Sequence, residues 1–200
     1  MNMKPLSSTF NPAGKLFIGL GNPGKKYEHT YHTIGVHALL FLANANRGEF
    51  DRPSRKHFSY VEPPARFGFG LGKPNLGPIF VLSETYMNES GTAARETITY
   101  FNKSPHDLVV LHDDSDMLVG TYKLSYNQRS AGHHGIDSII AELGTSEFYR
   151  LKIGIRPTQE KVRKKAETFV LKKISTVDKK VFQEVFKKIQ KEWGIRYAIL

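Results

Sequence analysis

The chain has 200 residues, 40% of them hydrophobic, which suits one globular domain with a sizeable core. It contains no cysteine, which excludes disulfides, thiolate catalysis and cysteine-based zinc sites, and no apolar run approaches a membrane span. The formal net charge of +10 is lopsided: residues 1–149 carry 14 basic and 14 acidic side chains, residues 150–200 carry 15 against 5. Clustered cations favour a polyanionic partner such as nucleic acid, with a solvated basic surface as the bland alternative.

Residues 1–14 hold no acid and no apolar signal core, so they are expected to form a disordered tail ahead of a single domain over 15–200. Leu16 to Leu20 then reads as a buried strand, running into GLGNPGKKYEHTYHTIG. Gly19, Gly21 and Gly24 match the dinucleotide fingerprint, which needs a helix opening at the last glycine. No such helix is predicted. Pro23 sits in the turn, Lys25 to Thr30 is polar, and the first helical stripe (Ile34, Ala38, Leu39, Leu42) begins only beyond His32, in a helix over roughly 33–46. The segment is better read as a turn that presents His32 beside a cleft.

Residues 46–78, rich in Gly, Pro and Arg, read as hairpin or loop within the domain. Further strands are predicted at Ile79–Leu82, Leu108–Leu111, Thr121–Tyr126 and Leu151–Ile155, and helices over roughly 90–101 and 135–143, the first capped by Ser90. A last helix starts at a Ser175 cap. Its core stripe is expected to be Val177, Val181, Val185, Ile189 and Trp193, with Lys179, Lys180, Lys187, Lys188 and Lys191 opposite and Gly194 at its end. Strands alternating with helices imply an α/β sheet whose functional residues gather where strands end.

Three polar positions lie just after predicted strands or in turns: Asn22, Asn88 and Asp113. Each alone is an ordinary loop residue. Asp113 is harder to dismiss, because HDDSD follows a buried LVVL run; a carboxylate there could orient an imidazole and leave its other nitrogen free to take a proton from water. His32 is the candidate imidazole. The histidines at 29, 32, 133 and 134 show no metal-binding spacing, and no G-x-S-x-G elbow supports a serine nucleophile. The chemistry that fits is water attack assisted by a base, with Asn side chains donating to a polarised carbonyl.

Together FIGLGNPGKKYEHTYHTIG, ETYMNESG, LVVLHDDSDMLVG, AGHHGIDSI, FYRLKIGIRP and TFVLKK, in that order from Leu16 to about Lys173, resemble the bacterial-type peptidyl-tRNA hydrolase family. The resemblance implies hydrolysis of the ester between a peptide and the 3′-terminal ribose of tRNA by a monomeric, single-domain α/β protein. It further implies a twisted mixed sheet flanked by helices, no membrane association, and no metal or organic cofactor. Carried over by motif, His32 is the base, Asp113 polarises it, Asn22 contacts the 3′-terminal nucleotide or peptide, and Asn88 positions substrate and water. Tyr27, Tyr86 and Met87 are expected to wall the cleft, His133 and His134 to contact substrate, and Lys123, Arg150 and Lys152 to face tRNA phosphate.

The chain departs from the family at Gly132-His133-His134-Gly135, where Gly-His-Asn-Gly is usual, and LSYNQRSAG lacks the usual glycine-rich run. An imidazole makes fewer simultaneous hydrogen bonds than a planar amide. These departures point to a eukaryotic branch, fungi included, with the compartment open between mitochondrion and cytoplasm. A non-catalytic RNA-binding relative on the same fold is the second reading.

Overall fold

Leu16–Gly19 (β1) is buried at every position, and so are the first six residues of Leu108–Leu118 (β4). Such continuous apolar runs, rather than alternating ones, are what strands need when helices cover both faces of a sheet. The computed structural model, which describes residues 10–45, 49–62, 77–157 and 169–195, places both at the centre of one six-stranded sheet. The other strands are Phe58–Val61 (β2), Ile79–Ser83 (β3), Tyr122–Tyr126 (β5) and Tyr149–Arg156 (β6), in the order β2-β3-β1-β4-β6-β5. The β3-β1-β4-β6 core is parallel, and β2 and β5 close the edges antiparallel.

Successive side chains of a strand point to opposite faces, and the core divides accordingly. Phe17, Val109 and Leu111 join the helices Ile34–Ala43 (α1) and Thr176–Glu192 (α4) on one side. Ile18, Leu108 and Val110 join Ser90–Tyr100 (α2) and His134–Leu143 (α3) on the other.

Several expectations need correction. Val177 is 71% exposed, and the buried face of α4 is Phe182, Val185, Phe186, Ile189 and Trp193. A helix turns about 100° per residue, so a strict four-residue row drifts about 40° per step and winds off the core face. Ser90 does not cap α2. It is the first helical residue, buried, with its hydroxyl donating to the Met87 carbonyl at 2.8 Å, and a 3-10 turn Met87–Glu89 precedes it. Phe10, assigned to the tail, packs its ring against Phe17, Tyr149 and Trp193, so residues 10–14 belong to the body; residues 1–9 lie outside the described residues. The segment 46–78, read as hairpin or loop, is described only at 49–62 and 77–78; there it holds strand β2, which pairs antiparallel with β3 as in the hairpin alternative.

Two glycines of the fingerprint, Gly19 and Gly21, serve packing, whereas Gly24 has open space around it and serves the turn through its positive φ. A Cβ on Gly19 would stand 2.9 Å from the Gly35 carbonyl, and one on Gly35 only 2.1 Å from the Leu111 carbonyl. Helix α1 therefore lies directly on the β1 and β4 backbones. Gly35→Ala is expected to push α1 away, lowering stability by about 1–3 kcal/mol and separating His32 from β4. Denaturant unfolding checks the first effect; turnover per folded molecule checks the second.

Candidate active site

Beyond β1 the chain stays on the sheet for one more bond, Leu20 N–H to the Leu111 carbonyl at 3.0 Å, then turns through Gly24 at φ 95°. The Tyr27 carbonyl collects the Thr30 N–H at 3.0 Å and both the Thr30 and Thr33 hydroxyls, at 2.9 and 3.1 Å. That knot sets up a short 3-10 turn, Tyr31–Thr33, which leads into α1. The His32 N–H donates to the Val170 carbonyl at 2.8 Å, and the Tyr31 hydroxyl donates to Asp178 at the start of α4. His32 is thus gripped on its backbone from a segment more than a hundred residues away.

Its side chain meets Asp113. The expected strand Leu108–Leu111 runs on through Leu118, so Asp113 stands within β4 rather than after it, with a side chain 4% exposed. His32 Nδ1 lies 2.8 Å from Asp113 Oδ1. A carboxylate accepts, so the proton sits on Nδ1 and the lone pair on Nε2. Among the described residues Nε2 has no hydrogen-bond partner. Burial by itself would lower the pKa of His32, but the hydrogen bond and charge of Asp113 outweigh it and raise the value above 6.5. Burial by itself would raise the Asp113 carboxyl; its interactions with His133 and His32 outweigh that and hold it far below the usual carboxylate range.

The same oxygen takes a second imidazole, His133 Nε2 at 3.0 Å. His133 is the N-cap of α3, and its Nδ1 accepts the Ile136 N–H at 3.3 Å. Beneath them His112 is fully buried, with Nδ1 donating to the Asp113 carbonyl at 2.7 Å; burial and the nearby His133 push its pKa well down, which keeps it neutral. His32, Asp113 and His133 also present atoms within 4.8 Å of one another, close enough to share a metal ion. The nitrogens concerned carry the protons that bond Asp113, so a cation would have to displace both; the group is a hydrogen-bonded triad.

The Asn22 Oδ1 accepts the Met87 N–H at 2.8 Å. That bond ties the turn after β1, which leads to His32, to the turn after β3, which carries exposed Asn88. Tyr86 is 53% exposed and Tyr27 half-buried. Met87 is not an open wall: its side chain is buried with Leu20, Ala93 and Ile136. His134 begins α3 and is exposed.

Of the three cations expected at phosphate, Lys123 is exposed. Lys152, across from it in the β5–β6 register, is ion-paired with Asp114 at 3.1 Å. Arg150 is a correction. It is 1% exposed, burial lowers its pKa to about 10, and its guanidinium donates to the carbonyls of Arg129, at 2.7 Å, and Gln128. An arginine in a strand paired beside buried Ser125 has no route to an external phosphate; it fastens the loop before α3 instead. The polar turn residues around it, Asn127 to Ser130, were the sequence signal that such an anchor was needed.

An imidazole backed by a buried carboxylate, with amides on two neighbouring turns, is the kind of arrangement hydrolases use to activate water. Ser90, two residues after Asn88, is buried and already bonded. A family model for peptidyl-tRNA hydrolase matches residues 16–197. The peptidyl-tRNA hydrolase of Prochlorococcus marinus strain NATL1A is 41% identical over 155 residues, 77% of this chain and 73% of its own; that of Aquifex aeolicus strain VF5 is 38% identical over 175 residues, 87% and 85%. The crystal structure of peptidyl-tRNA hydrolase from Acinetobacter baumannii superposes with a TM-score of 0.70 at 25% identity, covering 90% of this chain and 88% of that one. The chain belongs to the peptidyl-tRNA hydrolase family, and it is an enzyme that hydrolyses the ester of peptidyl-tRNA.

Proposed function

We propose that His32 is the general base of this hydrolysis, a reading carried by one observation: its Nδ1 is committed to Asp113 while Nε2 is unpartnered. Nε2 takes a proton from water as the oxygen attacks the ester carbonyl. The imidazolium that forms is stabilised by Asp113 and returns the proton to the ribose oxygen as the ester bond breaks. The Asn22 Oδ1 is occupied by Met87, which leaves its amide hydrogens for the substrate; Asn88 supplies a second amide for the attacking water or the developing oxyanion. Tyr27 and Tyr86 offer faces to a base or peptide group. The decisive assay is release of free tRNA from a peptidyl-tRNA by the purified protein. Binding without release would favour the RNA-binding reading.

The tRNA body is held by cations outside the cleft, supported by exposed Lys123 and by the exposed Lys179, Lys180, Lys187, Lys188 and Lys191 of α4. Lys123→Ala should reduce the salt slope of tRNA binding by about one unit. Arg150→Gln should leave that slope unchanged while lowering stability by about 1–3 kcal/mol, because the Gln128 and Arg129 carbonyls lose their donor. Binding titrations across salt concentrations, with thermal unfolding, separate the two. We further propose a eukaryotic branch of the family, supported by the departures at His134 and before Ala131, and a monomer acting in mitochondrion or cytoplasm; sedimentation and cell fractionation test the last two points.

A further inference from the structure

The Asp113 carboxylate is shared. Its Oδ1 receives the base His32 at 2.8 Å and His133 at 3.0 Å, and the two rings stand 5.1 Å apart between centroids. The tautomer of His133 is set by helix α3. Because Nδ1 accepts the Ile136 N–H, the ring proton lies on Nε2, aimed at Asp113. His133 is therefore a fixed donor, and it is held by a helix end rather than by the loop that carries His32.

We propose that His133 is a positioning residue of the catalytic centre: by donating to the oxygen that already holds His32, it fixes the Asp113 carboxylate and limits how strongly that carboxylate favours protonated His32. A donor on Oδ1 draws away negative charge that would otherwise act on the imidazolium. The other ionisable groups around His32 are His112 on β4, Lys172 and Lys173 on the segment that holds its backbone, and Glu28 and His29 on the turn before it. Among the described residues, side-chain hydrogen bonds join only Asp113 to His32 and only His133 to that carboxylate besides.

The proposal rests on His32 being the base, and two substitutions dissect it. Asn at 133 can still cap α3 through its side-chain oxygen but is too short to reach Asp113 as Nε2 does. Gln places its amide near the position of Nε2 and restores the donor. With peptidyl-tRNA as substrate, His133→Asn should move the acidic limb of the kcat/KM profile upward by about half to one pH unit and lower kcat more than it raises KM. His133→Gln should bring the limb back toward wild type. A limb that stays put or falls in His133→Asn, or that moves alike in both variants, overturns the proposal. Ring nitrogen NMR of the wild-type protein tests it without substitution, because a proton found on Nδ1 of His133 would mean that the donor to Asp113 does not exist. Failure of the base assignment is recognised separately: His32→Ala would then keep its turnover whatever His133 does.

Discussion

His32→Ala is expected to cut turnover by about two to four orders of magnitude while the protein stays folded. Only the side chain is lost. The backbone bond to the Val170 carbonyl and the entry into α1 remain, and a neutral alanine fits the same 3-10 turn. Asp113 loses one of its two imidazole partners but keeps His133, so its carboxylate is not left bare. The affinity for tRNA should be nearly unchanged, because the cations proposed to meet the phosphates, such as Lys123, lie elsewhere. Single-turnover hydrolysis, read beside a binding titration and an unfolding curve, checks all three statements. A folded variant that hydrolyses at the wild-type rate would remove His32 from the mechanism.

Asp113→Asn should be nearly as damaging, for a different reason. An amide can turn its NH2 toward His32 Nδ1, which shifts the ring proton to Nε2 and removes the lone pair that must face water; a loss of about two to four orders of magnitude is expected. The remaining activity should carry a signature in pH. The His32 pKa is raised above 6.5 because the Asp113 carboxylate favours the imidazolium. The base works only when unprotonated, so wild-type kcat/KM should fall as pH drops through that raised value. Without the negative charge the imidazolium is less favoured, and the acidic limb should move to lower pH. The opposite shifts expected for Asp113→Asn and His133→Asn make the pair a stringent test of how this carboxylate is shared.

The failed expectations share a cause. Arg150 reads as a phosphate ligand because arginine in a basic quarter of the chain usually faces water, yet the β5–β6 pairing turns that position inward, where the loop carbonyls of Gln128 and Arg129 hold it. Of the four-residue row that reads as core, Val185, Ile189 and Trp193 are buried but Val177 is not, because the buried face mixes three- and four-residue steps and takes in Phe182 and Phe186. Asp113 reads as a loop residue because charge after LVVL normally ends a strand; β6 continues the ladder past it as far as Asp114. His133 reads as a substrate contact from its family motif, yet its ring is taken up by Asp113 and by the start of α3.

What the sequence determined by itself is local: the apolar runs that become central strands, the turn that denies Gly24 a helix, and the polar motifs whose order marks the family. Those properties follow from side-chain periodicity and turn chemistry, which act over a few residues. What only the tertiary structure decided is which groups meet. Residues 32, 113 and 133 are far apart along the chain, and they converge because β1 and β4 pair in parallel, Gly35 lets α1 lie on the Leu111 carbonyl, and α3 begins beside them. One Asp113 oxygen shared by two imidazoles depends on strand register and helix contact, neither of which is written in any short stretch of sequence.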